Sequence, residues 1–149
     1  MLGDPVNLVD LLGLRTKLDN LITNEMRIQL LDIDKNIKAF EKMNFLPLAQ
    51  KLELIYKFTH NGSLMDFKQI DPLFEDFGNF NYGAICAAIG IPDTITLRGA
   101  GWAQTRSGTS KPDYGKPWGF APYGDDPHDQ EMIKAGINYY RNYYGKANH

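Results

Sequence analysis

Apolar residues return every three or four positions along much of this chain, an interval that builds helices and excludes half-buried strands. From Arg15 onward Leu18, Ile22, Met26 and Leu30 repeat every four residues, with Leu21 and Ile28 widening the stripe. Residues 34–43 carry a second short pattern, with Asp34 placed to cap it. Leu48, Leu52 and Ile55, with Tyr56, mark a third that stops at His60-Asn61-Gly62. These three stripes predict core and are assigned no chemistry. Residues 71–83 read as irregular, acidic and aromatic, followed by a small-residue helix over 82–89. Ile91-Pro92-Asp93 breaks the chain before a helix over 94–106. Residues 107–124 form a Gly, Pro and Ser-rich loop of a length that usually serves function or motion. Asp126 and Pro127 read as N-cap and first residue of the last helix, whose Ile133, Ile137, Tyr140 and Tyr144 keep helical spacing until Gly145. The expected fold is mostly α: a single compact helical domain with two irregular functional loops and room for a short hairpin in either.

Composition narrows the function. At 149 residues, 43% hydrophobic and 23% charged, the chain suits one globular domain. Its net charge is -2, and Lys and Arg are scattered among acids. A grip on a nucleic-acid backbone usually needs clustered basic residues, so a nuclease is disfavoured, though a small basic cleft would escape this test. Cys86 is the sole cysteine, which excludes an internal disulfide and a cysteine-rich zinc site. Within Ala84-Ile85-Cys86-Ala87-Ala88-Ile89 it reads as a buried small hydrophobe. No apolar run is long enough for a transmembrane helix, and the N-terminus lacks the pattern of a secretory signal.

The reactive side chains gather in two clusters. One holds Glu75, Asp76, Asn79, Asn81 and Tyr82; the other is Pro122-Tyr123-Gly124-Asp125-Asp126-Pro127-His128-Asp129-Gln130. Capping and the helix dipole account for Asp126 and partly for Asp129, but not for Asp125, which precedes the helix. Neighbouring carboxylates repel, so one can hold a proton near neutral pH and act as a general acid. Asp125 and Asp129 are therefore the first catalytic candidates, with Glu75 or Asp76 next and His128 as an acid–base partner. Asn79, Asn81, Tyr82, Arg98, Trp118 and Tyr123 are the candidate substrate contacts, with a structural ion pair as the other reading of Arg98. Trp102 reads as core cover, and His60 as a helix-end residue. No cofactor is expected; a divalent cation at Asp125 and Asp129 is the alternative, with a spacing that fits neither an EF-hand nor a zinc–histidine motif.

Two resemblances bear on the role. Gly3-Asp4-Pro5 through Leu11-Leu12-Gly13-Leu14 resembles the junction at the end of an Rhs core, after which a variable toxin follows. It implies that residues 1–14 are a core remnant, that residues 15–149 are the toxin domain, and that the parent is cleaved after Leu14. Leu11 stands where that family usually has proline. Separately, Gly78-Asn79-Phe80-Asn81-Tyr82-Gly83-Ala84, Leu97-Arg98-Gly99-Ala100-Gly101 and Tyr123-Gly124-Asp125-Asp126-Pro127, with Asp129, Gln130 and Ile133, resemble the type 44 polymorphic toxin domain. Many of its members carry histidine at the position of Asn81. The resemblances imply a secreted effector for interbacterial competition, with type VI secretion as a route that reads no signal peptide. They also imply an Rhs core in the parent polypeptide and a cognate immunity protein as partners. For the reaction, hydrolysis of a cell-envelope polymer such as peptidoglycan in the target periplasm is preferred. A nuclease acting in the target cytosol and a non-enzymatic toxic binding module are the alternatives.

Overall fold

Within residues 21–147, which the computed structural model describes, side-chain caps decide where several helices begin. Thr23 accepts from the Met26 amide and starts α1 (Asn24–Ile28). Asp32 accepts from the Lys35 amide and starts α2 (Ile33–Glu41). Pro47 precedes α3 (Leu48–Thr59). Asp71 caps a 3-10 turn (Pro72–Phe74) that runs straight into α4 (Glu75–Ile89), which Gly90 ends at φ 90°. Pro92 precedes α5 (Asp93–Arg106). The Asp126 carboxylate accepts from the His128 amide and starts α6 (Pro127–Tyr139), which continues through a π turn (Tyr140–Tyr144) into α7 (Gly145–Ala147). Each such cap satisfies an amide that the first turn leaves free, and is worth about 1 kcal/mol.

α4 and α6 form the frame of the molecule. Asp76 meets His128 at their starts, and Gly83 meets Ile133 further along, so the two helices run in the same direction with their N-termini together. Their backbones touch. A Cβ added to Gly83 would lie 2.0 Å from the Ile133 carbonyl oxygen, and one added to Gly136 would lie 2.0 Å from that of Phe80. α2 is pinned to this pair by the buried Asn36 amide, which donates to Asn81 Oδ1 and to the Leu30 carbonyl, both at 2.8 Å. Tyr139 and Tyr140 donate to Asp34 and Glu41, each at 2.6 Å. Around α4 the main core gathers Ile37 and Phe40 from α2, Leu54, Ile55 and Phe58 from α3, and Ile85 and Ile89. Burying each of these side chains contributes about 1.5–3 kcal/mol. A smaller cluster of Leu97, Ile133 and Ile137 sits under Tyr82 and Tyr123.

The mostly α expectation holds, and no strand occurs among the described residues, so neither loop forms a hairpin. Several local expectations need correction. Residues 71–83 are not irregular: α4 starts at Glu75 and includes Gly78, Asn79 and Phe80. Glycine and asparagine argue locally against a helix, but the close packing at Gly83 outweighs propensity. The first stripe is no single helix where it is described. Thr23 is extended, and Met26 and Ile28 are exposed while Leu30 is buried. Its earlier part, like residues 1–14, lies outside the described residues. α3 buries Leu54, Ile55 and Phe58 and exposes Leu48, Leu52 and Tyr56. Asp32, not Asp34, caps α2, and Gly145 is helical at φ -60° and does not end the last helix.

Candidate active site

The loop over residues 107–124 delivers the second acidic cluster, and it is tightly held. Arg98 on α5 donates through Nη1 to the carbonyls of Pro117 (2.8 Å) and Gly119 (3.0 Å), and its guanidinium lies 4.6 Å over the Tyr123 ring. Arg98 thus pairs with carbonyl oxygens and a ring, and among the described residues it does not form the structural ion pair that was its other reading. Tyr123 itself takes a positive φ of 63°, and its carbonyl would be 1.8 Å from a Cβ at Gly101, so only glycine lets α5 pass there. The Tyr114 carbonyl accepts from the Gly124 amide at 2.7 Å, and Ser110 Oγ donates to the Gly124 carbonyl at 2.6 Å.

This scaffold presses Asp125 inward until it is 3% exposed. Its Oδ1 accepts from the Asp126 amide (2.9 Å) and its Oδ2 from Gln130 Nε2 (2.7 Å). Burial pushes its carboxyl above the usual range, and those two donors pull it back in part. Asp129 is half-buried one turn into α6. Burial, then the charges of Asp125, Glu75 and Asp126, push it up to about 7, while His128 opposes them. His128 is exposed and pairs through Nε2 with Asp76 Oδ1 at 2.9 Å, a bond that raises the imidazole above its ordinary value. Asp126 spends its carboxylate on the His128 amide (2.8 Å) and on the Tyr114 hydroxyl (3.2 Å). The result is two acids with divergent environments beside a third, Glu75, where two parallel helices begin.

The acids line an open groove of about 1340 Å³. Glu75, Asn79, Tyr82, Asp125 and Asp129 form one part of it, and Arg98, Trp102 and Trp118 another. The Tyr82 hydroxyl donates to the Thr96 carbonyl at 2.7 Å, and burial keeps that phenol protonated. Burial also pushes the Cys86 thiol up to about 12, so it is no nucleophile at neutral pH. Among the described residues no group of three or more His, Cys, Asp or Glu side chains is placed to hold a metal ion.

Residues 30–142, most of the chain, match the family model described as bacterial toxin 44. The chain belongs to the bacterial toxin 44 family. No curated protein and no solved structure matches it. The match extends well upstream of the motifs that begin at Gly78, taking in α2 and α3.

In this toxin 44 domain the candidates divide by position. Asp125, Asp129, Glu75, Asn79, Tyr82, Arg98 and Trp118 meet at the groove. Asp76 and His128 form their own pair at its acidic end. Asn81 is 1% exposed and faces inward, bonded to Asn36 and, through Nδ2, to Met65 Sδ at 3.5 Å. The Tyr123 ring lies under Arg98 in the loop wall. Trp102 reads from the sequence as core cover, yet it is 45% exposed, lines the groove and carries Arg106 over its ring. Its place one turn after Arg98 on the same helix face was the available signal. His60 caps α3, its Nδ1 2.7 Å from the Tyr56 carbonyl and its ring stacked on Tyr56. The sequence places Gln130 in the second cluster but assigns it no role; an amide five residues after a loop aspartate gives little warning of one.

Proposed function

We propose that this toxin domain is delivered into neighbouring bacteria in interbacterial competition and hydrolyses glycosidic bonds of peptidoglycan in their envelope. The observation that carries the reading is the pair Asp125 and Asp129 on one groove wall, one held between two N–H donors and the other pushed up to about 7. Glycoside hydrolysis needs one carboxyl that gives a proton to the leaving oxygen and one that takes a proton from water or attacks carbon. Trp102 and Trp118 on the same groove suit stacking on sugar rings, and the net charge of -2 suits a glycan better than a phosphate backbone. The motif in residues 1–14 supports an Rhs core as parent, and the toxin role supports a cognate immunity protein that guards the producing cell. The test is purified chain on isolated peptidoglycan sacculi. Soluble fragments should appear, and Asp129→Asn should lower their rate by about 10²-fold or more. Sacculi left intact by the wild-type chain would refute the reading.

One arrangement favours a second reading. Asp76 and His128 make an exposed acid–base pair, and Lys68, Arg98 and Arg106 line the groove lined also by Asp129, the neighbour of His128. A nuclease would use such a pair on a phosphodiester. Killing by cytosolic expression with none from the periplasm would select this alternative.

A further inference from the structure

Gln130 lies in the first turns of α6 and is 2% exposed, an amide enclosed at the edge of the acidic cluster. Its Nε2 has two acceptors, Asp125 Oδ2 at 2.7 Å and the Leu97 carbonyl at 3.2 Å. The Leu97 carbonyl can only accept, so the amide nitrogen must face it, and the second N–H then points at Asp125. A proton on the Oδ2 lone pair that takes this N–H is excluded, which favours the charged carboxylate, while the second lone pair of that oxygen can still take a proton. Oδ1 is likewise occupied by the Asp126 amide at 2.9 Å. Both oxygens of Asp125 are thus arranged to accept. Among the described residues no donor bonds to the carboxylate of Asp129, one residue before Gln130.

We propose that Gln130 is a positioning residue, which fixes Asp125 as the proton acceptor at the groove wall and leaves Asp129 to deliver the proton. The assignment rests on the glycoside-hydrolase reading above. In that reaction Asp129 gives its proton to the leaving glycosidic oxygen as the C–O bond breaks. Water supplies the new C–O bond at the sugar carbon, and its proton passes to Asp125. Exchange with solvent then restores both groups. The charged groups facing Asp129 are Asp125 and Asp126 from the loop, Glu75 from α4, and His128 with its partner Asp76. α5 contributes the Leu97 carbonyl, which Gln130 already satisfies. The charge held on Asp125 is one cause of the high proton affinity of Asp129, second only to burial.

The experiment follows the two carboxyl carbons by 13C NMR between pH 4 and pH 9 in the full chain. In the wild type Asp125, raised by burial but held charged by its two donors, should lose its proton before Asp129, which titrates near 7. In Gln130→Leu, Asp125 loses a donor to its charged form and takes up the proton, and the Asp129 midpoint falls by about one unit. Peptidoglycan cleavage should lose its alkaline limb at a correspondingly lower pH. A purely structural glutamine would lower the melting temperature and leave the order of titration unchanged, which overturns the proposal. Should Gln130→Leu not fold, Gln130→Met, closer in shape, is read in the same way. Whatever the variants do, an Asp125 carboxyl that loses its proton after Asp129 in the wild type also overturns it. Failure of the hydrolase reading has a different signature: intact sacculi with the same order of titration.

Discussion

Asp129→Asn should make the protein more stable at pH 8 while abolishing its activity. Unfolded, the Asp129 carboxyl titrates at its ordinary 3.8; folded, it titrates at about 7. Between those values the folded chain holds a proton that the unfolded chain has lost, so stability falls as pH rises from 4 to 7 and is level above. Above pH 7 the folded state carries a carboxylate beside Asp125, Glu75 and Asp126. Taken at face value the difference corresponds to about 4 kcal/mol. Asp129 is only half-buried, so solvent screening reduces that to about 1–2 kcal/mol. Asparagine removes the burden and forfeits a favourable charge at a helix start worth about 0.3–1 kcal/mol. For a domain of this size the net gain is a rise of about 1–4 °C in Tm at pH 8, vanishing by pH 4. Paired thermal melts of wild type and variant across that range measure it. A variant equally stable or less stable than wild type at pH 8 would refute the idea that folding holds Asp129 against its neighbours.

Three further outcomes are expected. Gly83→Ala forces a methyl to within 2.0 Å of the Ile133 carbonyl and should cost about 3 kcal/mol, seen as a fall in the denaturant midpoint. Asn81→Ala should lower stability by about 1–3 kcal/mol by stripping a buried partner from Asn36, with peptidoglycan cleavage per folded molecule unchanged. Arg98→Ala should release the loop wall at Pro117 and Gly119, so limited proteolysis cuts within residues 107–124 faster than in the wild type, while Arg98→Lys restores only part of the protection.

Much of the fold was legible because caps and spacing are local. Asp126 followed by Pro127 names its own helix start, and Ile91-Pro92-Asp93 its own break. α4 was misjudged over its first half because its reason for being helical lies on another helix, at Ile133 and Gly136. The amphipathic face of α3 was misplaced for a similar cause: apolar residues surround the helix, and only its neighbours select Leu54, Ile55 and Phe58. At the site, Asp125 stood out because no capping duty explained it. Gln130 did not, because a buried amide gains meaning only when Leu97 and Asp125 are brought to it across the fold.

The parallel frame of α4 and α6 splits the acidic cluster between two stretches of chain. Glu75 and Asp76 come from one stretch, and Asp125 and Asp129 from the other, with α5 and the loop over 107–124 between them. A chain severed in that loop would leave each fragment with half of the carboxylates and with one side of a backbone-to-backbone seam. With those carboxylates acting together as proposed, neither half would poison the cell that makes it, and reunion along the glycine seam would rebuild the weapon from two harmless parts.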